Sequence, residues 1–234
     1  MKAIETIKML EKCPIFTFNE FVRMTGSSQA YARTCLYRLK KKGLILQVER
    51  GKYTAFDDPM IFSSRIVVPS YISFWTAIRF YNLTEQLPRD IMLASPKSRK
   101  ALEFKGTKIR FFRTSNIWGY GKQRYRDFDI FVAEKEKCII DSLVLRNVPF
   151  DEIAKAIETG ELDRNVLAEY AKKAGNKAVI KRLGYLMEAF GMDAGGLEER
   201  IDSNYVLLDW NGPKTGKKDR KWKIIVNRRL HDIH

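Results

Sequence analysis

Histidine is almost missing from this chain of 234 residues: His231 and His234 are the only two, both within the last four positions. Cysteine is scarce too. Cys13, Cys35 and Cys138 are an odd number without the paired spacing of a metal site, and each sits among apolar neighbours. These shortages exclude a structural zinc site and point to reduced, buried thiols. The closing HDIH reads as a frayed end. Long hydrophobic runs are also lacking: no stretch reaches the roughly 18–20 apolar residues that span a bilayer. The opening MKAIETIKMLEKC interrupts its apolar residues with charges, unlike a signal peptide. A cytoplasmic protein is expected.

Acids are in short supply. Lys and Arg number 43 against 28 Asp and Glu, a formal net charge of +15 with a pI near 9.7. Such a balance implies a polyanionic partner, nucleic acid foremost. The surplus is uneven. Residues 1–56 hold 11 basic and 4 acidic side chains, residues 97–126 hold 10 and 1, and residues 214–234 hold 8 and 2. Residues 127–213 reverse it, with 11 basic and 17 acidic. The basic charge lies in separate blocks, so one interaction need not account for all of it. At 45% hydrophobic and 12% aromatic, the chain can bury a real core in one large or two smaller domains.

The first block has an order of its own. AIETIKMLEKC spaces Ile4, Ile7 and Leu10 as an amphipathic helix, closed by Pro14. TFNEFVRMTG pairs Thr17 with Glu20 three residues on, a capping box, and stops at Gly26. SSQAYARTCLYRLKKKG opens on serines suited to an N-cap and ends at Gly43. Three short helices with a glycine turn between the second and third make a helix-turn-helix.

At about 100° per residue, the third helix gathers Ala32, Leu36 and Leu39 on one arc. Ala30, Arg33, Thr34, Tyr37, Arg38 and Lys41 fall opposite, and the helix contains no acid. Arg reads guanine edges bidentately, while Thr and Tyr suit phosphate oxygens or thymine methyls. LILQV and KYTAF, joined by ERG, then read as a hairpin presenting Arg50 and Lys52, the wing of a winged helix. The expected DNA-binding set is Ser28, Gln29, Arg33, Thr34, Tyr37, Arg38, Lys41, Arg50 and Lys52.

The expected fold class is α+β: a winged helix-turn-helix over residues 1–56, a linker over 57–69, and a mixed α/β domain over 70–234. In the last of these, DIMLAS, TKIRFFRTS and RDFDIFVAE are strand-like. FDEIAKAIETG, LDRNVLAEYAKKAG and KAVIKRLGYLMEAFG form a helical array stopped by Gly160, Gly175 and Gly191. SNYVLLDW and RKWKIIVNRR read as a terminal β-hairpin around a basic loop.

A winged helix followed by YISFWTAIRFYNLTEQLP, AEKEKCIIDSL, VIKRLGYLMEAFG and a C-terminal Trp–Asn strand resembles the AbiEi family along nearly the whole chain. These are the antitoxin and transcriptional-regulator members of AbiE-type (type IV) toxin–antitoxin systems. The resemblance implies a winged helix that represses its own promoter at inverted repeats in double-stranded DNA. It also implies a C-terminal α/β domain needed for antitoxicity and a nucleotidyltransferase-like toxin as partner. Carried over by position, the DNA role falls on Arg33, Thr34, Tyr37, Arg38, Arg50 and Lys52. KRLGY, residues 181–185, is read as structural, with Leu183 and Leu186 in a core and Gly184 permitting close packing. A standalone repressor without a toxin shares this architecture.

Enzyme readings are weaker. RDFDIFV sets Asp127 and Asp129 at alternate strand positions, as in a metal-dependent nucleic-acid enzyme, but the Gly-Ser that should open a helix is missing. Ordinary alternation with both Asp in solvent is favoured. AEKEK puts carboxylate and lysine side by side, where a nuclease strand holds them two apart. GPKTGKK is one residue short of a P-loop and ends in Lys. Without a usable His or a paired nucleophile and base, no catalytic site, cofactor or metal is expected.

Overall fold

A computed structural model describes residues 3–230, with side chains from Glu5 onward. The HDIH tail lies outside the described residues. By packing, the chain divides into two units, neither continuous in sequence. The first takes the described residues up to Ile72 together with Arg89–Ile117 and Lys122–Val132; the second takes Ser73–Pro88, Trp118–Gly121 and the described residues from Ala133 onward.

The first unit begins with the winged helix. Helix α1 (Ala3–Leu10) is followed by β1 (Phe16–Thr17), α2 (Phe18–Thr25) and α3 (Gln29–Lys41), and then by β2 (Leu46–Glu49) and β3 (Lys52–Thr54). The capping box starts α2: the Thr17 N–H donates to Glu20 Oε2 at 2.7 Å, and the Glu20 N–H donates back to Thr17 Oγ1 at 3.3 Å. Hydrogen bonds from the Thr17 backbone and hydroxyl hold the Glu20 carboxyl below its ordinary value. Gly26, at φ 61°, ends the helix in the left-handed region that glycine enters without a Cβ penalty. Leu10, Phe16, Phe21, Ala32, Leu36, Leu39 and Ile45 bury together as one small core. Full burial of a Leu or Phe is worth about 1.5–3 kcal/mol, so this cluster can hold three short helices that would not persist alone. Strands β1, β3 and β2 form the wing sheet in that order.

The rest of this unit holds most of a six-stranded sheet ordered β6-β7-β5-β4-β9-β8. Its strands are β4 (Tyr71–Ile72), β5 (Asp90–Ser95), β6 (Leu102–Phe104), β7 (Thr107–Arg113), β8 (Tyr120–Tyr125) and β9 (Phe128–Ala133). The central strand β5 pairs in parallel with β7 and antiparallel with β4, and Ile91, Met92, Leu93 and Ala94 are all buried. Residues 57–69 form two short 3-10 turns, Pro59–Ile61 and Ser63–Arg65. Phe62 from this segment meets Phe104 edge-on at 5.0 Å between centroids, and Phe56 meets Phe128 at 4.8 Å.

The second unit contains α4 (Phe74–Phe80), α5 (Lys135–Leu145), α6 (Phe150–Thr159), α7 (Arg164–Ala174) and α8 (Lys177–Ala189). Asp163 and Asn176 cap α7 and α8 through their side-chain oxygens. Gly175 and Gly191 take left-handed φ after their helices, whereas Gly160 ends α6 in an extended conformation. Leu183 and Leu186 are fully buried, and bare Gly184 lies directly against the Trp222 ring.

The terminal sheet differs from the expected pairing. Strand β12 (Ile224–Val226) forms its antiparallel hairpin with β11 (Lys217–Asp219), and β10 (Val206–Leu207) joins the other edge of β12 in parallel. The residues between β10 and β12 are long enough to supply a strand of their own, which takes the hairpin position.

Candidate nucleic-acid interface

Helix α3 is set by Ser28, whose hydroxyl oxygen accepts the Tyr31 N–H at 3.3 Å. The cap serves one of the N-terminal amides that have no intrahelical acceptor. Helical geometry then sorts the faces: Ala32, Leu36 and Leu39 are buried, while Gln29, Ala30, Arg33, Thr34, Tyr37, Arg38 and Lys41 are all exposed. Tyr37 is 66% exposed, unusually open for an aromatic side chain. Thr34 donates its hydroxyl to the Ala30 carbonyl at 3.2 Å, which fixes its rotamer. The Arg33 guanidinium lies 5.7 Å from the Phe18 ring centroid, a cation–π contact with the start of α2.

The charge on this face is unanswered. No carboxylate among the described residues pairs with Arg33, Arg38, Lys41 or Arg50. Arg50 and Gly51 form the turn of the wing, with Gly51 at φ 80°, and Arg50 is exposed at its tip.

Lys52 sits differently from the other expected contacts. It starts β3, its ammonium donates to the Ile66 carbonyl, and it pairs with Glu49 at 3.1 Å. Its charge is turned toward its own unit, so Arg50 is the wing's open cation. Sequence reasoning also passed over Tyr31 and Lys42. With Thr6, Thr34, Arg38 and Leu44 they line a groove of about 210 Å3 beside α3, and Tyr31 is 53% exposed. The signal was there: Tyr31, Thr34, Arg38 and Lys42 step by three or four residues, one strip of a helix.

The basic block at 97–126 is partly spent inside its own unit. Arg99 bonds Glu49, Lys105 pairs with Asp57 at 2.7 Å, and Arg110 pairs with Asp90 at 2.5 Å. Arg126 reaches Asp58 at 3.2 Å. Arg124 faces both Asp127, at 4.0 Å, and Asp129, at 3.6 Å. Asp127 does not lie on the strand with Asp129 as expected: Arg126, at φ 51°, and Asp127 make the turn between β8 and β9. Both carboxylates point to solvent and answer Arg124. No group of three or more His, Cys, Asp and Glu able to hold a metal occurs among the described residues.

Residues 9–55 match the family model described as a transcriptional regulator, AbiEi antitoxin. The winged helix is similar to the AbiEi domain over this span. The match runs from the end of α1 through the wing and takes in every residue of the open basic face just described. That description names transcription regulation and antitoxin activity, and the exposed, acid-free face of α3 is consistent with the first. No curated protein matches the chain. No helix among the described residues is long and apolar enough to cross a membrane.

Proposed function

We propose that the protein is a cytoplasmic repressor that binds inverted repeats in its own promoter and acts as the antitoxin of a nucleotidyltransferase-like toxin. The observation that carries the DNA reading is the α3 face, where Arg33, Thr34, Tyr37, Arg38 and Lys41 are exposed without a carboxylate partner. Arg33 and Arg38 reach base edges in the major groove, while Gln29, Thr34, Tyr37 and Lys41 position the helix on phosphates and sugar. Ser28 contributes by capping the helix, and Arg50 carries the wing onto the flanking backbone. Residues 1–56 do the reading, 57–69 connect, and 70–234 supply the antitoxin surface.

The antitoxin part rests on the AbiEi description of the winged helix. Its test is co-expression of the full chain with any nucleotidyltransferase-like protein encoded beside it, scored by growth. Rescue is expected from the full chain and equally from a full-length Arg33→Ala, Arg38→Ala variant that no longer binds the promoter. Failure of the full chain to rescue leaves a standalone repressor. For the DNA part, footprinting on the chain's own upstream region should show two protected half-sites related by a dyad. A single unordered smear across any DNA would refute sequence reading.

A further inference from the structure

A groove of the second unit lies outside the proposed DNA-reading face. It measures about 660 Å3, within the roughly 300–1,000 Å3 of small-molecule sites. Glu158, Tyr185 and Phe190 line it from the C-terminal ends of α6 and α8. Thr215, Lys217 and Arg229 line it from the segments around β11 and β12. We propose that this groove binds a nucleoside phosphate, with the base against Tyr185 and Phe190 and the phosphates on Lys217 and Arg229.

The charge pattern selects this ligand. Half of the tail's eight cations are engaged: Lys221 with Glu188 and Glu198, Arg228 with Asp151, and Lys218 and Lys223 over the Tyr205 ring. Lys217 and Arg229 have no carboxylate partner among the described residues, and both are exposed. Two open cations on one groove suit a multiply charged phosphate, which Arg can grip with two parallel N–H donors.

The helix side has the opposite character. The Glu158 carboxylate lies on that side of the groove. An acidic peptide or a bare anion filling the groove would meet repulsion there. A nucleobase brings N–H donors to that side and leaves its anionic end for the cations. Tyr185 and Phe190 are half-buried and give the base rings to stack on. Asn227 is part of the fixed wall, since its amide donates to the Asp209 and Pro213 carbonyls and accepts the Asp209 N–H.

The ligand's source is either a free nucleotide or the end of a nucleic-acid strand, and one experiment separates them. A fluorescent ATP or GTP analogue is titrated into the full chain and competed with unlabelled nucleotides, inorganic triphosphate and a short single-stranded RNA. Saturable binding is expected, weakened roughly 3–10-fold by Lys217→Ala or by Arg229→Ala and multiplicatively in the double variant. Lys100→Ala and Lys122→Ala, exposed cations of the other unit, should leave it unchanged. Nucleotide should outcompete inorganic triphosphate, and Tyr185→Leu should narrow that gap. RNA competing more tightly than nucleotide assigns the groove to a strand end; the reverse assigns it to a free nucleotide. No saturable binding, equal competition by inorganic triphosphate, or equal losses from Lys100→Ala would overturn the proposal. None of these outcomes depends on promoter binding.

Discussion

Arg99 clasps the carboxylate of Glu49, and through that contact the strand leading into the wing is tied to the six-stranded sheet of its own unit. Lys52 reaches the same carboxylate from the other side of the wing turn. Burial pushes the Glu49 carboxyl up, but the hydrogen bonds from Arg99 and Lys52 more than reverse this and hold it below the ordinary glutamate value. A carboxyl depressed in the folded state stabilises fully above its unfolded value, near ~4.3, and loses that contribution as pH falls through the folded value. Glu49→Gln should therefore cost ~1 kcal/mol at pH 7. Thermal unfolding of wild type and variant at neutral and acid pH should show the gap closing below that ordinary value.

On the proposed recognition helix α3, Arg33→Ala and Arg38→Ala should each cost on the order of 1–3 kcal/mol at the specific site and much less on random DNA. Gel-shift titrations against both DNAs measure this directly.

The two wing cations should separate. Arg50→Ala removes an open charge, so it should weaken specific and random DNA alike and lower the slope of log affinity against log salt by about one. Lys52→Ala removes a charge already held by Glu49 and the Ile66 carbonyl, so it should lower the melting temperature and shift the salt slope less.

Gly184 lies under Trp222, whose indole N–H donates to Glu188 at 2.7 Å and so cannot swing aside freely. A methyl group at position 184 would run into the ring. Gly184→Ala should destabilise the second unit by about 1–3 kcal/mol, as overpacking does. Denaturant unfolding would register it, and an unchanged midpoint would contradict the packing described.

The thiols should differ in reactivity. Cys138 is fully buried, and burial followed by the nearby carboxylates of Asp141 and Glu136 pushes its thiol far up. Cys13 and Cys35 are half-buried. A thiol reagent should modify Cys35 and Cys13 in the native protein and reach Cys138 only on unfolding, since the thiolate is the reacting species.

Much of the winged helix was legible because its signals are local. Thr17 and Glu20 stand three residues apart, Gly26 follows the helix it ends, and Ser28 directly precedes the helix it caps. Burial of Ala32, Leu36 and Leu39 follows from helical period alone. What lay hidden depends on distant partners. Nothing near Lys52 in sequence announces the Ile66 carbonyl that accepts its hydrogen bond. The block at 97–126 looks uniformly basic until the fold brings Glu49, Asp57, Asp58 and Asp90 to it. The parallel pairing of Val206 with Ile224 was likewise invisible, since β-branched runs suit either direction of pairing.

The division of the chain into interleaved units bears on how such a protein can change over generations. The backbone passes from one unit to the other five times, after residues 72, 88, 117, 121 and 132. A single genetic crossover can transplant a module only where the chain leaves it once. The sheet-bearing unit and the helical unit are therefore inherited together, and no one splice exchanges either of them whole. On the proposed reading face of α3, Tyr37 and Arg38 are exposed and lie outside the buried core, so they are open to point substitution at little structural cost.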